Sequence, residues 1–173
     1  LLGVAAGVVL TPQLAAALVE GLRSTGCRVI RIGLGPTPML YFASHELGAD
    51  GGMMITGSHN PSDYNGIKMV KGGKPFFADQ IQLLGRMVAT ADFACGEGSV
   101  EDCEIKPRYV ARLTQDLSPG SRPLKVAWDP GNGAAGAILH ELCARISGQH
   151  VFINDTVDGR FPAHHPDPTV VEN

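Results

Sequence analysis

The sequence predicts an α/β fold, and three observations carry that reading. Short segments rich in β-branched residues alternate with stretches in which leucine or alanine recurs every three or four positions. Turn chemistry falls between them, at Gly35-Pro36-Thr37-Pro38, Lys71-Gly72-Gly73-Lys74 and Asp129-Pro130-Gly131. The segment 52–56 is apolar without alternation, as a strand covered on both faces requires.

Taken in order, residues 1–10 form an apolar run that resembles a signal-peptide core. It has no leading Met, no basic flank and no cleavage site, so it reads as a helix fragment. Thr11-Pro12 is an N-cap followed by proline at the first helical position. Leu14, Leu18 and Leu22 continue that helix to Gly26. A strand is expected over 27–32, a helix over 39–47 and a strand over 52–56. A strand over 67–70, a turn at 71–74 and a helix from Asp79 to about residue 91 come next. The polar stretch 95–104 reads as loop and 108–117 as helix. Ser118-Pro119-Gly120-Ser121-Arg122-Pro123 has linker composition. A second unit then starts: strand 125–129, glycine turn, helix 134–146, strand 150–153 and an aperiodic tail over 157–173. It is too short to close a core by itself.

Bulk properties exclude some functions. Of 173 residues, 44% are hydrophobic and 18% charged, which suits a globular core. The net charge of −3 provides no basic excess for phosphates along a duplex, so no nucleic-acid partner is expected. No apolar run reaches membrane-spanning length, and no membrane partner is expected. Cys27, Cys95, Cys103 and Cys143 form no CxxC pair and fit a reducing, cytoplasmic setting.

Three motifs invite chemistry. Gly131-Asn132-Gly133-Ala134-Ala135-Gly136 matches G-x-G-x-x-G between strand and helix, with Asp155 beyond the next strand. It is either a pyrophosphate cradle or a tight turn that binds nothing. His164-His165-Pro166-Asp167, with Asp158 nearby, lacks the spaced pairing of zinc ligands and reads as hydrogen-bonded loop. The third is Thr56-Gly57-Ser58-His59-Asn60-Pro61, where an apolar strand delivers one hydroxyl among turn-forming residues. Lys68, Lys71 and Lys74 follow in an otherwise acidic chain. This is either a plain turn or a phosphoryl-bearing serine held near cations.

That run, with Asp63-Tyr64-Asn65-Gly66-Ile67-Lys68, resembles the active-site loop of the α-D-phosphohexomutases, in particular the bacterial phosphomannomutase/phosphoglucomutase group. Gly35-Pro36-Thr37-Pro38, Pro107-Arg108-Tyr109, Asp129-Pro130-Gly131-Asn132-Gly133 and the stretch 158–168 agree in order. The resemblance implies three-layer α/β/α units with a mixed sheet: one nearly complete domain over residues 1–117 and the start of a second over 118–173. It implies exchange between hexose 1- and 6-phosphates of mannose or glucose, through a phosphoserine at Ser58 and a bisphosphorylated sugar. Phosphoglucosamine is the alternative substrate within the family. Lys68 and His59 would be catalytic, and Asn60 and Asn65 would contact substrate. Mg2+ would be bound in part by the Ser58 phosphoryl group, and hexose 1,6-bisphosphate would be the activator. The family's Asp-x-Asp-x-Asp-Arg metal loop does not occur in these residues, so the chain is expected to be an inactive fragment. The family also has a strand and a Gly-Arg-Asp-x-Arg segment before the Thr-Pro helix. Residues 1–10 resemble the helix preceding that strand, which predicts a missing stretch between Leu10 and Thr11.

Overall fold

A computed structural model describes residues 2–4, 11–57, 60, 63–118, 120, 122–165, 167 and 169–171. It contains β1 (Leu2–Val4), α1 (Thr11–Ser24), β2 (Arg28–Leu34), α2 (Thr37–Glu46), β3 (Gly51–Thr56), β4 (Gly66–Lys71), β5 (Lys74–Pro75), α3 (Asp79–Ala89) and β6 (Ser99–Asp102). Beyond these come α4 (Lys106–Thr114), β7 (Leu124–Trp128), α5 (Gly136–Cys143) and β8 (Gly148–Phe152).

The first sheet has six strands in the order β5-β4-β3-β1-β2-β6. β3, β1, β2 and β6 run parallel, and β4 and β5 form an antiparallel extension. The sheet is therefore mixed, and helices follow the parallel strands as crossovers. α1 carries the chain from β1 to β2 and α2 carries it back from β2 to β3. Right-handed crossovers in opposite directions place these helices on opposite faces.

Two expectations are corrected here. Residues 2–4 are not helical: they form the strand between β2 and β3, in register Leu2↔Met53 and Val4↔Ile55. Residues 99–102, read as loop, are edge strand β6, paired from Arg28↔Ser99 to Arg31↔Asp102. Arg28–Glu101 at 2.5 Å and Arg31–Asp102 at 2.6 Å link the same strands across the surface.

The core lies on the α2 side. Met39, Leu40 and Ala43 of α2 pack with Met54, Ile32, Ile105, Tyr109 and Val110. Gly52 makes this possible, since a Cβ there would lie 2.7 Å from Ser44 Oγ and 3.1 Å from Leu40 Cδ1. Ile138 of α5 enters the same cluster, so the second unit shares the first unit's core through α4 and α5. Burying each of these large side chains contributes about 1.5–3 kcal/mol. The second unit has a two-stranded parallel sheet, β7-β8, in register from Leu124↔Gly148 to Trp128↔Phe152.

Candidate active site

β3 delivers the serine loop. Met54 and Ile55 are fully buried, and Thr56 is 7% exposed where the strand ends. Gly57 is buried and Asn60 exposed. The Asn60 N–H donates to the Gly57 carbonyl at 3.1 Å, which joins the two described ends of the loop. Ser58 and His59 themselves lie outside the described residues.

β4 returns antiparallel from this loop. Its register pairs Thr56↔Gly66, Ile55↔Ile67 and Met54↔Lys68. Paired residues project from the same face, so Lys68 shares the α2 side with Met54. It lies two residues, about 7 Å, behind the pair that opens the loop. Lys68 is exposed. Its flexible stem and compact ammonium suit a point-charge contact to phosphate. Asn65 is half-buried, and its Oδ1 is buried without a hydrogen-bond partner among the described residues. An acceptor in that state can receive a hydroxyl or an N–H at the loop. The fold thus brings Asn60, Asn65 and Lys68 to the end of β3 from which Ser58 is carried. Lys71 and Lys74 are drawn away: they pair with each other across the β4–β5 turn, at the far end of the hairpin. A cavity of about 600 Å³ lined by Tyr41, His45, Gly48, Val70, Gly72 and Pro75 lies at that far end too.

The glycine turn of the second unit is structurally different from a pyrophosphate cradle. Asn132 has φ 59° and is 7% exposed. Its N–H donates to the Asn154 carbonyl at 2.7 Å and its Nδ2 to the Thr156 carbonyl at 2.8 Å. The Asp158 N–H returns to the Asn132 carbonyl at 2.9 Å. A Cβ on Gly136 would sit 2.1 Å from the Asp155 carbonyl oxygen. The chain's own segment 154–158 occupies the space that a dinucleotide would need. Asp155, the acid beyond the next strand in that pattern, instead meets His140 Nε2 at 2.5 Å. The nucleotide reading is therefore not favoured; these glycines are scaffold.

His164 packs against Gly131, where a Cβ would lie 2.9 Å from its Cε1. Its Nδ1 is 3.0 Å from the His165 carbonyl, and its Nε2 is 3.6 Å from Asp129 Oδ2. Partial burial raises the Asp129 carboxyl pKa. The Gly131 N–H, the Asn154 amide and His164 outweigh that, and the net direction is downward. Asp158 is drawn down to about 2 by hydrogen bonds from the Arg160 side chain and backbone. Among the described residues no three His, Cys, Asp or Glu side chains are grouped to hold a metal ion. Asn132 and Asp129 were not legible as organisers of this region. The available signal was an asparagine between glycines, a residue type tolerant of positive φ.

A doubly covered, largely parallel sheet with its functional loop at the carboxyl end of a strand defines an α/β protein of the ligand-binding kind. Comparison narrows this. The phosphoglucomutase/phosphomannomutase α/β/α domain I matches residues 9–94, and domain II of the same family matches residues 107–173. The chain belongs to the phosphoglucomutase/phosphomannomutase family. It is 43% identical over 162 residues to a phosphomannomutase/phosphoglucomutase of Pseudomonas aeruginosa, covering 94% of this chain and 35% of that protein. It is 38% identical over 164 residues to a phosphoglucomutase of Neisseria meningitidis, again covering 94% and 35%. The crystal structure of a phosphoglucomutase/phosphomannomutase family protein from Burkholderia thailandensis superposes with TM-score 0.91 at 39% identity. That match covers 99% of this chain and 39% of the other. The chain therefore spans little more than a third of the length of these relatives. No helix among the described residues is long and apolar enough to cross a membrane.

Proposed function

We propose that residues 1–173 supply the phosphoryl-carrying half of a phosphohexomutase that interconverts hexose 1- and 6-phosphates, with mannose and glucose as the sugars. The observation that carries this is the β3–β4 register, which sets Lys68 and Asn65 at the end of the strand leading to Ser58. In the proposed cycle the phosphoserine P–O bond breaks as a hydroxyl of the sugar monophosphate bonds to phosphorus. The serine oxygen leaves with the sugar hydroxyl's proton, and a hexose 1,6-bisphosphate results. After the sugar reorients, its other phosphoryl group returns to Ser58. A phosphoserine carries about −1.5 to −2 charges and three acceptor oxygens. A nearby cation lowers the cost of spreading that charge in the transition state. Lys68 fills this role and stabilises the departing serine oxygen, Asn65 accepts a substrate hydroxyl, and His59 and Asn60 shape the loop.

The family relation implies Mg2+. The described residues make no site for it, and the Ser58 phosphoryl group alone is an incomplete ligand set. The carboxylates to complete such a site would come from outside residues 1–173. By the same reasoning the isolated chain turns over hexose phosphates slowly or not at all. The test is phosphopeptide mapping after treatment with glucose 1,6-bisphosphate. Phosphate is expected on the peptide containing Ser58 and absent from Ser58→Ala. Phosphate found only elsewhere, with Ser58 unmodified, would overturn the reading.

A further inference from the structure

The single tryptophan, Trp128, ends β7, and His150 stands in the middle of β8. The parallel register sets Val126 opposite His150 and Trp128 opposite Phe152. Residues two apart on a strand share a face, so Trp128 and His150 are diagonal neighbours on one side of this small sheet. Their ring centroids lie 6.0 Å apart with the planes tilted by 42°. Both residues are half-buried.

Each nitrogen of the His150 ring has a partner, and the two partners fix its protonation. The Trp128 indole N–H can only donate, and its Nε1 lies 3.0 Å from His150 Nδ1. Nδ1 must therefore offer a lone pair. The Ile146 carbonyl can only accept, and it lies 3.0 Å from His150 Nε2. Nε2 must therefore carry the hydrogen. One neutral tautomer satisfies both contacts. The imidazolium does not, because it turns an N–H towards the indole N–H and leaves a half-buried donor without an acceptor.

The ring joins β7, β8 and, through Ile146, the turn that follows α5. The same strands lead directly into the glycine turn. The Ile153 N–H donates to the Trp128 carbonyl at 2.9 Å. Asn154 comes next, with its carbonyl on the Asn132 N–H and its amide on the Asp129 carboxylate. No neighbouring charge offsets a proton on His150. Its hydrogen bonds among the described residues go to Trp128 and Ile146, neither of which is charged. On α5, His140 stacks on Phe152 with centroids 4.2 Å apart, and it holds the Asp155 carboxylate at 2.5 Å. Glu141 and Arg145 pair with each other at 3.0 Å. On β7, Lys125 projects from the opposite face.

We propose that the Trp128–His150 pair is a pH-sensitive latch of the second unit. It is closed while His150 is neutral, and it opens on proton uptake at Nδ1, loosening β7 and β8 from each other and from the glycine turn. The stability it supplies is present at neutral and alkaline pH. It is lost as pH falls through the range in which imidazoles take up protons, about 8 to 5. Asp158, held at about 2, takes up its proton well below that range, so the two effects are separable.

The test is NMR of the 15N-labelled 173-residue chain. At about pH 8 the His150 ring should show a bare Nδ1 and a protonated Nε2. From about pH 8 to 5 the Trp128 indole N–H resonance should shift with the same midpoint as the His150 ring, as its hydrogen bond is lost. His150→Asn sets an amide oxygen near the place of Nδ1, where it accepts from the indole at every pH, so its Trp128 resonance should stay in place. His140→Gln and His164→Gln should shift as the parent does. A ring protonated at Nδ1 at the alkaline end would overturn the proposal. So would a parent Trp128 resonance that does not move, one that still moves in His150→Asn, or one that moves only while His140 or His164 is present. The tautomer is read on the parent chain, so the proposal is decided even where a substitution impairs folding.

Discussion

Gly136→Ala tests whether the glycine turn is scaffold. The added Cβ would meet the Asp155 carbonyl oxygen at 2.1 Å and Val157 Cγ2 at 3.2 Å. Relief requires the 154–158 segment to move by roughly 1 Å, since non-bonded contacts need more than 3 Å. That segment is held to Asn132 by three hydrogen bonds of 2.7, 2.8 and 2.9 Å. A shift of that size stretches them past useful length, and each is worth about 0.5–1.5 kcal/mol net. Losing two costs about 1–3 kcal/mol, offset by up to about 1 kcal/mol from alanine's better helix propensity. The expected net loss is about 1–2 kcal/mol, or a melting temperature lower by roughly 2–8 °C for a chain of this size. Trp128, the single tryptophan, lies on β7 and donates from Nε1 to His150 Nδ1 at 3.0 Å, so its fluorescence reports on this unit directly. A Gly136→Ala protein as stable as the parent, with unchanged Trp128 emission, would refute the claim that the turn exists to receive the 154–158 backbone.

Other outcomes follow from the same geometry. Gly85→Ala in the 173-residue chain meets nothing within 4 Å and should stabilise it by about 0.5–1 kcal/mol, read by thermal melting. Lys68→Gln should slow phosphoryl uptake by Ser58 from glucose 1,6-bisphosphate by about 2- to 5-fold, the worth of one solvent-screened ion pair, without changing the melting temperature. Ile138→Ala should cost about 2–5 kcal/mol and weaken both units together, because Ile138 lies in the core they share; separate transitions for the two units would contradict this. The Asp158 carboxyl is held at about 2, below its ordinary 3.8, so its stabilising contribution is present above about pH 4 and is lost as pH falls towards 2. Asp129 is lowered too and acts in the same sense. Asp158→Asn should flatten the acid limb of a fluorescence-monitored pH titration, and an unchanged limb would remove Asp158 from the account.

Much of the fold was legible because burial leaves a direct trace in sequence. β3 announced itself as an uninterrupted apolar run, and the Thr-Pro pair of α2 marked its start. The failures have physical causes. β1 sits in a ten-residue apolar run, and such a run cannot be told from a buried helix by periodicity. β6 is Ser-Val-Glu-Asp with every residue exposed, so no apolar alternation exists to be read. Pairing with β2 and the surface charge pairs hold it in place. The G-x-G-x-x-G turn misled in the opposite direction, because close backbone approach needs glycine whether the approaching group is a pyrophosphate or the protein's own carbonyl. At the serine loop, residue types pointed to phosphoryl chemistry, but the pairing of Lys68 with that end of β3 required the strand register. Nothing in the lysine spacing separated Lys68 from Lys71 and Lys74.

That separation bears on how the proposed site is divided. β3 is a rigid mount: Met54 and Ile55 are fully buried, so the point from which Ser58 is carried is fixed by the core. Among the described residues the charges near it are sparse by comparison. Lys68 is exposed, and an exposed ammonium facing a phosphate through water supplies an interaction heavily damped by solvent. Lys71 and Lys74 stand at the opposite end of the hairpin. A phosphoserine on this mount would be well positioned and poorly neutralised. Positioning without neutralisation favours holding a phosphoryl group over transferring it, since transfer is the step in which charge must be spread and stabilised. On the proposed reading, further cations and the exclusion of water would come from the part of the relatives' length that residues 1–173 do not span. The carrier would then become a donor only when that part closes over it.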